Sequence, residues 1–103
     1  MTAPIIDMGH MQQAAQEATQ MLRVLANENR LLLLCQLSQG EKSVGELETL
    51  LGIRQPTLSQ QLGVLRNEGL VQTRREGKQI IYRVVDERAQ RLLETLYGMY
   101  CSC

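Results

Sequence analysis

No apolar run in this 103-residue chain approaches the ~18 residues that a membrane-crossing helix requires. The start of the chain also lacks a basic segment followed by an apolar stretch and a cleavage site, so the expected location is cytoplasmic. Histidine occurs once, as His10. There is no glycine-rich phosphate loop and, beyond the thiols, no grouping of acid, base and nucleophile, which argues against an enzyme and against a bound cofactor. Cysteine is scarce and odd in number, at positions 35, 101 and 103. In a reducing compartment such cysteines read as free thiols, metal ligands or a redox device, not as a permanent disulfide framework.

What is present suits one compact domain, because a chain of this length with 44% apolar residues is too short for two separate cores. The net charge of zero conceals an asymmetry. Residues 54–83 hold Arg54, Arg66, Arg74, Arg75, Lys78 and Arg83 against only Glu68 and Glu76, a surplus of +4 that the rest of the chain cancels. A positive third within a neutral protein is what a nucleic-acid-binding face needs, although a merely solvated surface can carry the same charges.

Local patterns give that third a shape. Residues 1–11 are expected to be a mobile lead-in, and residues 12–103 a single domain. Ala14, Ala15, Ala18, Met21, Leu22 and Leu25 mark one face of a first helix. Asn27 and Asn29 can cap a second helix containing Arg30 to Leu37, ending near Gly40. Ser43 caps a short third helix, with Glu46 completing a capping box, and Gly52 ends it. A fourth helix, "QPTLSQQLGVLRNEG", has Pro56 in its first turn and Leu58, Leu62 and Leu65 on its inner side. Two strand-like stretches, "LVQTRR" and "QIIYRVV", follow around Glu76-Gly77-Lys78, and Asp86 can cap a last helix with Ala89, Leu92, Leu93, Leu96 and Tyr100 inward.

The order α-α-α-α-β-β-α, mainly α with a β-hairpin wing, is that of a winged helix-turn-helix. The outer side of the fourth helix offers Gln55, Thr57, Ser59, Gln60 and Gln61, short hydroxyls and amides that can hydrogen-bond base edges. Arg74, Arg75 and Lys78 stand where a wing meets phosphates, contacts that set register rather than read sequence. Arg30 is expected in a structural ion pair. A winged helix used only for protein contacts is the competing reading.

These residues resemble a known family. The phrases "VLANENRLLLLCQL", "SVGEL" and above all "QPTLSQQLGVLRNEGLV" are similar to the ArsR family of small bacterial repressors, over roughly residues 14 to 101. The resemblance implies a homodimer held by the first and last helices, bound to double-stranded operator DNA and released by an inducer. Metal-sensing members carry Cys-x-Cys on the third helix, or Asp and His ligands on the fifth. Here Ser43 and Gly45 stand at the cysteine positions and the fifth helix has no histidine, so no metal site is expected.

The chain is closer to the branch represented by BigR, SqrR and HlyU, whose members respond to sulfide and persulfide. That branch has one cysteine in the second helix and a partner near the end of the fifth, the positions of Cys35 and Cys101. The resemblance therefore implies reactive sulfur species as the inducer and a covalent link of two to four sulfurs between these two thiols as the switch. Cys103 has no counterpart and is left as an alternative partner, a relay thiol or a bystander. General peroxide or redox sensing, and metal response, remain the alternatives.

Overall fold

A computed structural model of the chain describes residues 7–101. Its elements in chain order are α1 (Met8–Leu25), α2 (Glu28–Ser38), β1 (Lys42–Ser43), α3 (Val44–Leu51), α4 (Thr57–Asn67), β2 (Val71–Glu76), β3 (Gln79–Val84) and α5 (Glu87–Tyr100). The five helices and the hairpin follow the expected order, and the fold is a winged helix-turn-helix. One element was not expected: β1 adds a third, antiparallel strand on the far side of β3, with Lys42 opposite Tyr82 and Ser43 opposite Ile81. At two residues it leaves no alternating pattern to read, and Ser43 serves at once as strand end and as helix cap.

Local side-chain chemistry sets the helix boundaries. Asn27 opens α2 by accepting the Arg30 N–H (3.0 Å), and Asp86 opens α5 by accepting the Ala89 N–H (2.9 Å). Ser43 and Glu46 form the reciprocal capping box, with Ser43 Oγ accepting the Glu46 N–H (3.1 Å) and Glu46 Oε1 accepting the Ser43 N–H (2.9 Å). The backbone bond from Ser43, followed by its hydroxyl, holds the Glu46 carboxyl below its usual range. At the other end of the helix-turn-helix, Gly69 takes a φ of 76°, and Leu70 N–H returns to the Leu65 carbonyl (3.0 Å) while Gly69 N–H returns to Arg66 (3.0 Å). This Schellman closure turns the chain out of α4 and straight into β2. Gly77, at φ 63°, begins the two-residue turn between Glu76 and Gln79.

The core lies around α2. Leu33, Leu34 and Leu37 of α2 pack with Leu47 of α3, Leu58, Leu62 and Leu65 of α4, Val71 of β2, and Ala89 and Leu93 of α5, all buried. Consecutive leucines make sense only for a helix covered on several sides, and α2 touches α1, α3, α4, β3 and α5. By contrast, residues 8–20 of α1 are all exposed. The molecule is accordingly long, 51 × 32 × 21 Å, with a radius of gyration of 15.6 Å, against about 13 Å for a compact chain of ~100 residues.

The lead-in is shorter than its sequence suggests. α1 already begins at Met8, where Asp7 accepts the His10 N–H (3.1 Å) and pairs with His10 Nδ1 (2.5 Å), so residues 8–11 are helical. That first turn faces no core within its own subunit, which is why no apolar periodicity announces it. Residues 1–6 lie outside the described residues, as do Ser102 and Cys103.

Because the capping box satisfies two backbone donors at the entry to the helix-turn-helix, Ser43→Ala is expected to destabilise the fold by about 1 kcal/mol. Urea denaturation measures it, and an unchanged midpoint would contradict the role assigned to the cap.

Candidate nucleic-acid interface and thiol pair

α4 carries its three leucines inward and a polar strip outward. Gln55, Ser59 and Gln60 are exposed and Thr57 is half-buried. Pro56, at the cap position of α4, offers no side-chain acceptor, and Gln55 supplies one instead: its Oε1 accepts both the Ser59 N–H (3.1 Å) and the Ser59 Oγ–H (2.6 Å). Gln55 and Ser59 are thus held as a pair, and the Gln55 amide nitrogen is the group left to meet a base edge. Gln61 departs from the sequence expectation. It is half-buried, and its Oε1 accepts a hydrogen bond from Arg30 Nη1 (2.9 Å).

Arg30 in turn makes no ion pair among the described residues. Besides Gln61 it bonds two backbone carbonyls, those of Val24 (2.6 Å) and Arg23 (3.1 Å).

The wing's cations are not equivalent. Arg74 donates to Glu41 Oε2 and to Glu76 Oε2, bonds that raise its pKa and match its charge with two carboxylates. It fastens the wing to the loop before β1 while its side chain stays half exposed. Arg75 and Lys78 are exposed and, among the described residues, make no ion pair, as is also true of Arg54 and Arg66 at the two ends of α4. Arg54 and Arg66 were counted in the positive third but not assigned to the interface. Their position at the ends of the polar strip is the signal that singles them out.

The second site lies on the other side of α2. Cys35 is half-buried against the core cluster, while Cys101 is exposed at the C-terminal cap of α5, its N–H bonded to the Tyr97 carbonyl (2.8 Å). Burial pushes the Cys35 thiol above its ordinary 9.0, and the charge of Cys101 pushes it further. For one thiolate to be felt by the other, the fold must bring the end of α5 back to α2. Gln90, in the first turn of α5, reaches the Ser38 carbonyl with its Nε2 at 3.5 Å, which ties the start of α5 to the end of α2. Among the described residues, no three His, Cys, Asp or Glu side chains are grouped to hold a metal ion, and the Ser43 hydroxyl is committed to its cap.

Comparison with known proteins defines the class. Residues 27–73 match the model of the bacterial regulatory proteins of the arsR family. The chain is 58% identical over 92 residues, 89% of its length and 79% of the relative's, to the biofilm growth-associated repressor of Agrobacterium fabrum. Among solved structures it resembles the transcriptional repressor BigR from Xylella fastidiosa, with 49% identity, a TM-score of 0.85, and coverage of 93% of this chain and 95% of that one. Reduced HlyU from Vibrio cholerae gives 39% identity and a TM-score of 0.86, over 89% and 97% of the two chains. The chain belongs to the arsR family. Its relatives are those of the BigR and HlyU branch, which are DNA-binding transcriptional regulators and not enzymes.

Two predictions follow from the geometry. Arg75→Ala and Lys78→Ala should each weaken binding to any duplex and flatten its salt dependence by about one unit per wing, whereas Arg74→Ala should leave that slope nearly unchanged; equal slopes for Arg74→Ala and Arg75→Ala would contradict the pairing. Iodoacetamide labelling followed by peptide mass spectrometry should show Cys101 reacting before Cys35 at neutral pH, with the Cys35 midpoint above 9.0. In Cys101→Ser that midpoint should fall, because the neighbouring negative charge is gone. A midpoint indifferent to Cys101 would show the two thiols to be too far apart to interact.

Proposed function

We propose that the chain is a homodimeric repressor that binds operator DNA through α4 and the wing and releases it when reactive sulfur species join Cys35 to Cys101. What supports this reading is that burial and then the charge of Cys101 raise the pKa of Cys35, so that the two thiols lie within electrostatic reach on two helices, α2 and α5, that pack together. Working on DNA, the protein acts in the cytoplasm. Among the described residues no helix is long and apolar enough to cross a membrane.

A dimer accounts for the apolar surface that the subunit leaves uncovered. Met8, Met11 and Leu22 of α1 and Tyr97, Met99 and Tyr100 of α5 are 47–81% exposed, and a groove lined by Ala14, Ala18, Met21, Leu22 and Leu92 runs between the two helices. Exposed apolar area of this kind marks an interface. A two-fold pairing of α1 and α5 presents two copies of α4 to the two halves of a palindromic site.

The switch chemistry balances with a persulfide as the oxidant. The exposed Cys101 thiolate attacks the outer sulfur of a persulfide RSSH, the S–S bond of the donor breaks, and RS⁻ leaves and takes up a proton. Cys101 is now a persulfide. Cys35 then attacks the sulfur bearing the terminal SH and expels hydrogen sulfide, closing the link. With one donor sulfur this closes a plain disulfide; the tri- and tetrasulfide links proposed here form when Cys101 first takes one or two further outer sulfurs from additional donors, each adding one sulfur to the bridge and releasing one more RSH. The two thiols are oxidised by two electrons and the expelled sulfur is reduced to sulfide. Each added sulfur lengthens the reach by about 2 Å, so a separation beyond that of a plain disulfide, whose Cα atoms lie within about 7 Å, would select sulfur donors over peroxide.

Metals are not the inducer in this reading, because Ser43 and Gly45 supply no thiolates on α3. The test is one set of titrations. After a persulfide donor, intact mass should rise by one or two sulfurs less two hydrogens per subunit, and reductant should reverse it. Cys35→Ser and Cys101→Ser should still bind the operator but ignore the donor, while Cys103→Ser responds like the parent; zinc should leave the reduced protein's affinity unchanged. Inducible behaviour in Cys101→Ser, with loss in Cys103→Ser, would move the partner to Cys103. A response in all three variants, or stoichiometric release by zinc, would remove the thiol switch.

A further inference from the structure

Arg30 stands in the first turn of α2, where three elements meet. Near the end of α1, the Leu22 and Leu25 carbonyls receive the Ala26 N–H (2.8 Å) and the Asn27 N–H (2.8 Å). The two carbonyls between them, Arg23 and Val24, receive Arg30 Nη2 and Nε instead. A cation at this position also suits the negative end of the helix dipole. The remaining arm of the guanidinium, Nη1, crosses to Gln61 Oε1 in the middle of α4. One planar fork therefore spans the end of α1, the start of α2 and α4, a geometry that lysine cannot reproduce.

A second polar tie runs parallel to the first. Gln20 Nε2 of α1 donates to Glu68 Oε2 (3.0 Å), at the C-terminal cap of α4. α4 is thus attached to α1 at its middle and at its end. Leu58, Leu62 and Leu65 bury its inner side, but burial is non-directional and leaves the rotation of a helix about its own axis weakly defined. Hydrogen bonds to a charged fork are directional and fix it.

From this we infer that Gln61 is a positioning residue: with Arg30 it sets the rotation of α4 against the α1 helix, and it does not itself read a base. The inference rests on the reading that α4 meets the operator. A glutamine that reads adenine needs both its oxygen and its nitrogen at the base edge. The oxygen of Gln61 is already held by a guanidinium, and the side chain is half-buried. Gln60, its exposed neighbour, is the residue placed to read. The consequence is a direct path from the dimer helix to the reading strip, so that any change in how α1 and α2 meet rotates that strip.

The test uses the reduced, full-length protein, the duplex from its own promoter, and a series of that duplex with every base pair substituted in turn. Gln61→Met keeps length and apolar contact but removes the acceptor. It should lower affinity about tenfold, by the same factor across the whole series, with the salt slope unchanged. Gln61→Glu keeps the acceptor and should retain the parent's pattern of base discrimination. Arg30→Met, which also frees the Val24 and Arg23 carbonyls, should cost less in the Gln61→Met background than in the parent; if Arg30→Met does not fold, Arg30→Lys replaces it in the cycle. Discrimination lost at one base pair only in Gln61→Met, or additive losses at Arg30 and Gln61, would show that Gln61 contacts DNA and overturn the inference. If the unmodified protein shows no preference among the duplexes, the reading of α4 as the operator-binding helix fails instead.

Discussion

Burial of α2 on several sides constrains everything else in the molecule. Leu33 and Leu34 are wholly excluded from water, Leu31 and Cys35 are half-covered and only Leu32 of the leucine run is exposed, so α1, α3, α4, β3 and α5 must all find room against one eleven-residue helix. Close-packed interiors transmit displacement rather than absorb it. A shift of α2 by a fraction of a turn therefore reaches the polar strip of α4 through Leu58, Leu62 and Leu65, and it reaches α5 through Ala89 and Leu93. Under the proposed switch, a thiol on this helix, rather than on a surface loop, would put sulfur chemistry in contact with the element that the others pack against.

The required energies are ordinary. A 100-fold change in operator affinity corresponds to about 2.7 kcal/mol, within the usual range of coupling between sites. A covalent bridge between α2 and the end of α5 needs only to favour one relative placement of those helices by that amount. The polar ties from Arg30 to Gln61 and from Gln20 to Glu68 give that placement a route to α4 that leucine packing alone does not define. In the proposed dimer, paired through α1 and α5, spacing of the two reading heads and rotation of each head would change together.

Much of this was legible in the sequence because it is local. The caps at Asn27, Ser43 and Asp86, the breaks at Gly52 and Gly69 and the turn at Gly77 depend on residues within four positions of one another, and each forms as its residue types imply. The missed features are non-local. β1 exists only because β3 lies beside it, Arg74 is neutralised by Glu41 across 33 residues, and Gln61 is drawn inward by Arg30 across 31. The thiol pair is the extreme case. Neither Cys35 in a leucine run nor Cys101 at a helix end says anything of the other, and in the sequence only the resemblance to a family linked them.

The central claim is that joining the two cysteines lowers affinity for DNA, and it is tested most directly by measuring operator binding for two purified forms of the same dimer. One is fully reduced; the other carries the Cys35–Cys101 link, verified by peptide mass spectrometry and freed of unmodified protein. Fluorescence anisotropy at fixed salt should give the linked form an affinity roughly 100-fold weaker, restored by reductant, with a change of about 2.7 kcal/mol. Equal affinities for the two forms would contradict the account, whatever sulfur the protein had taken up.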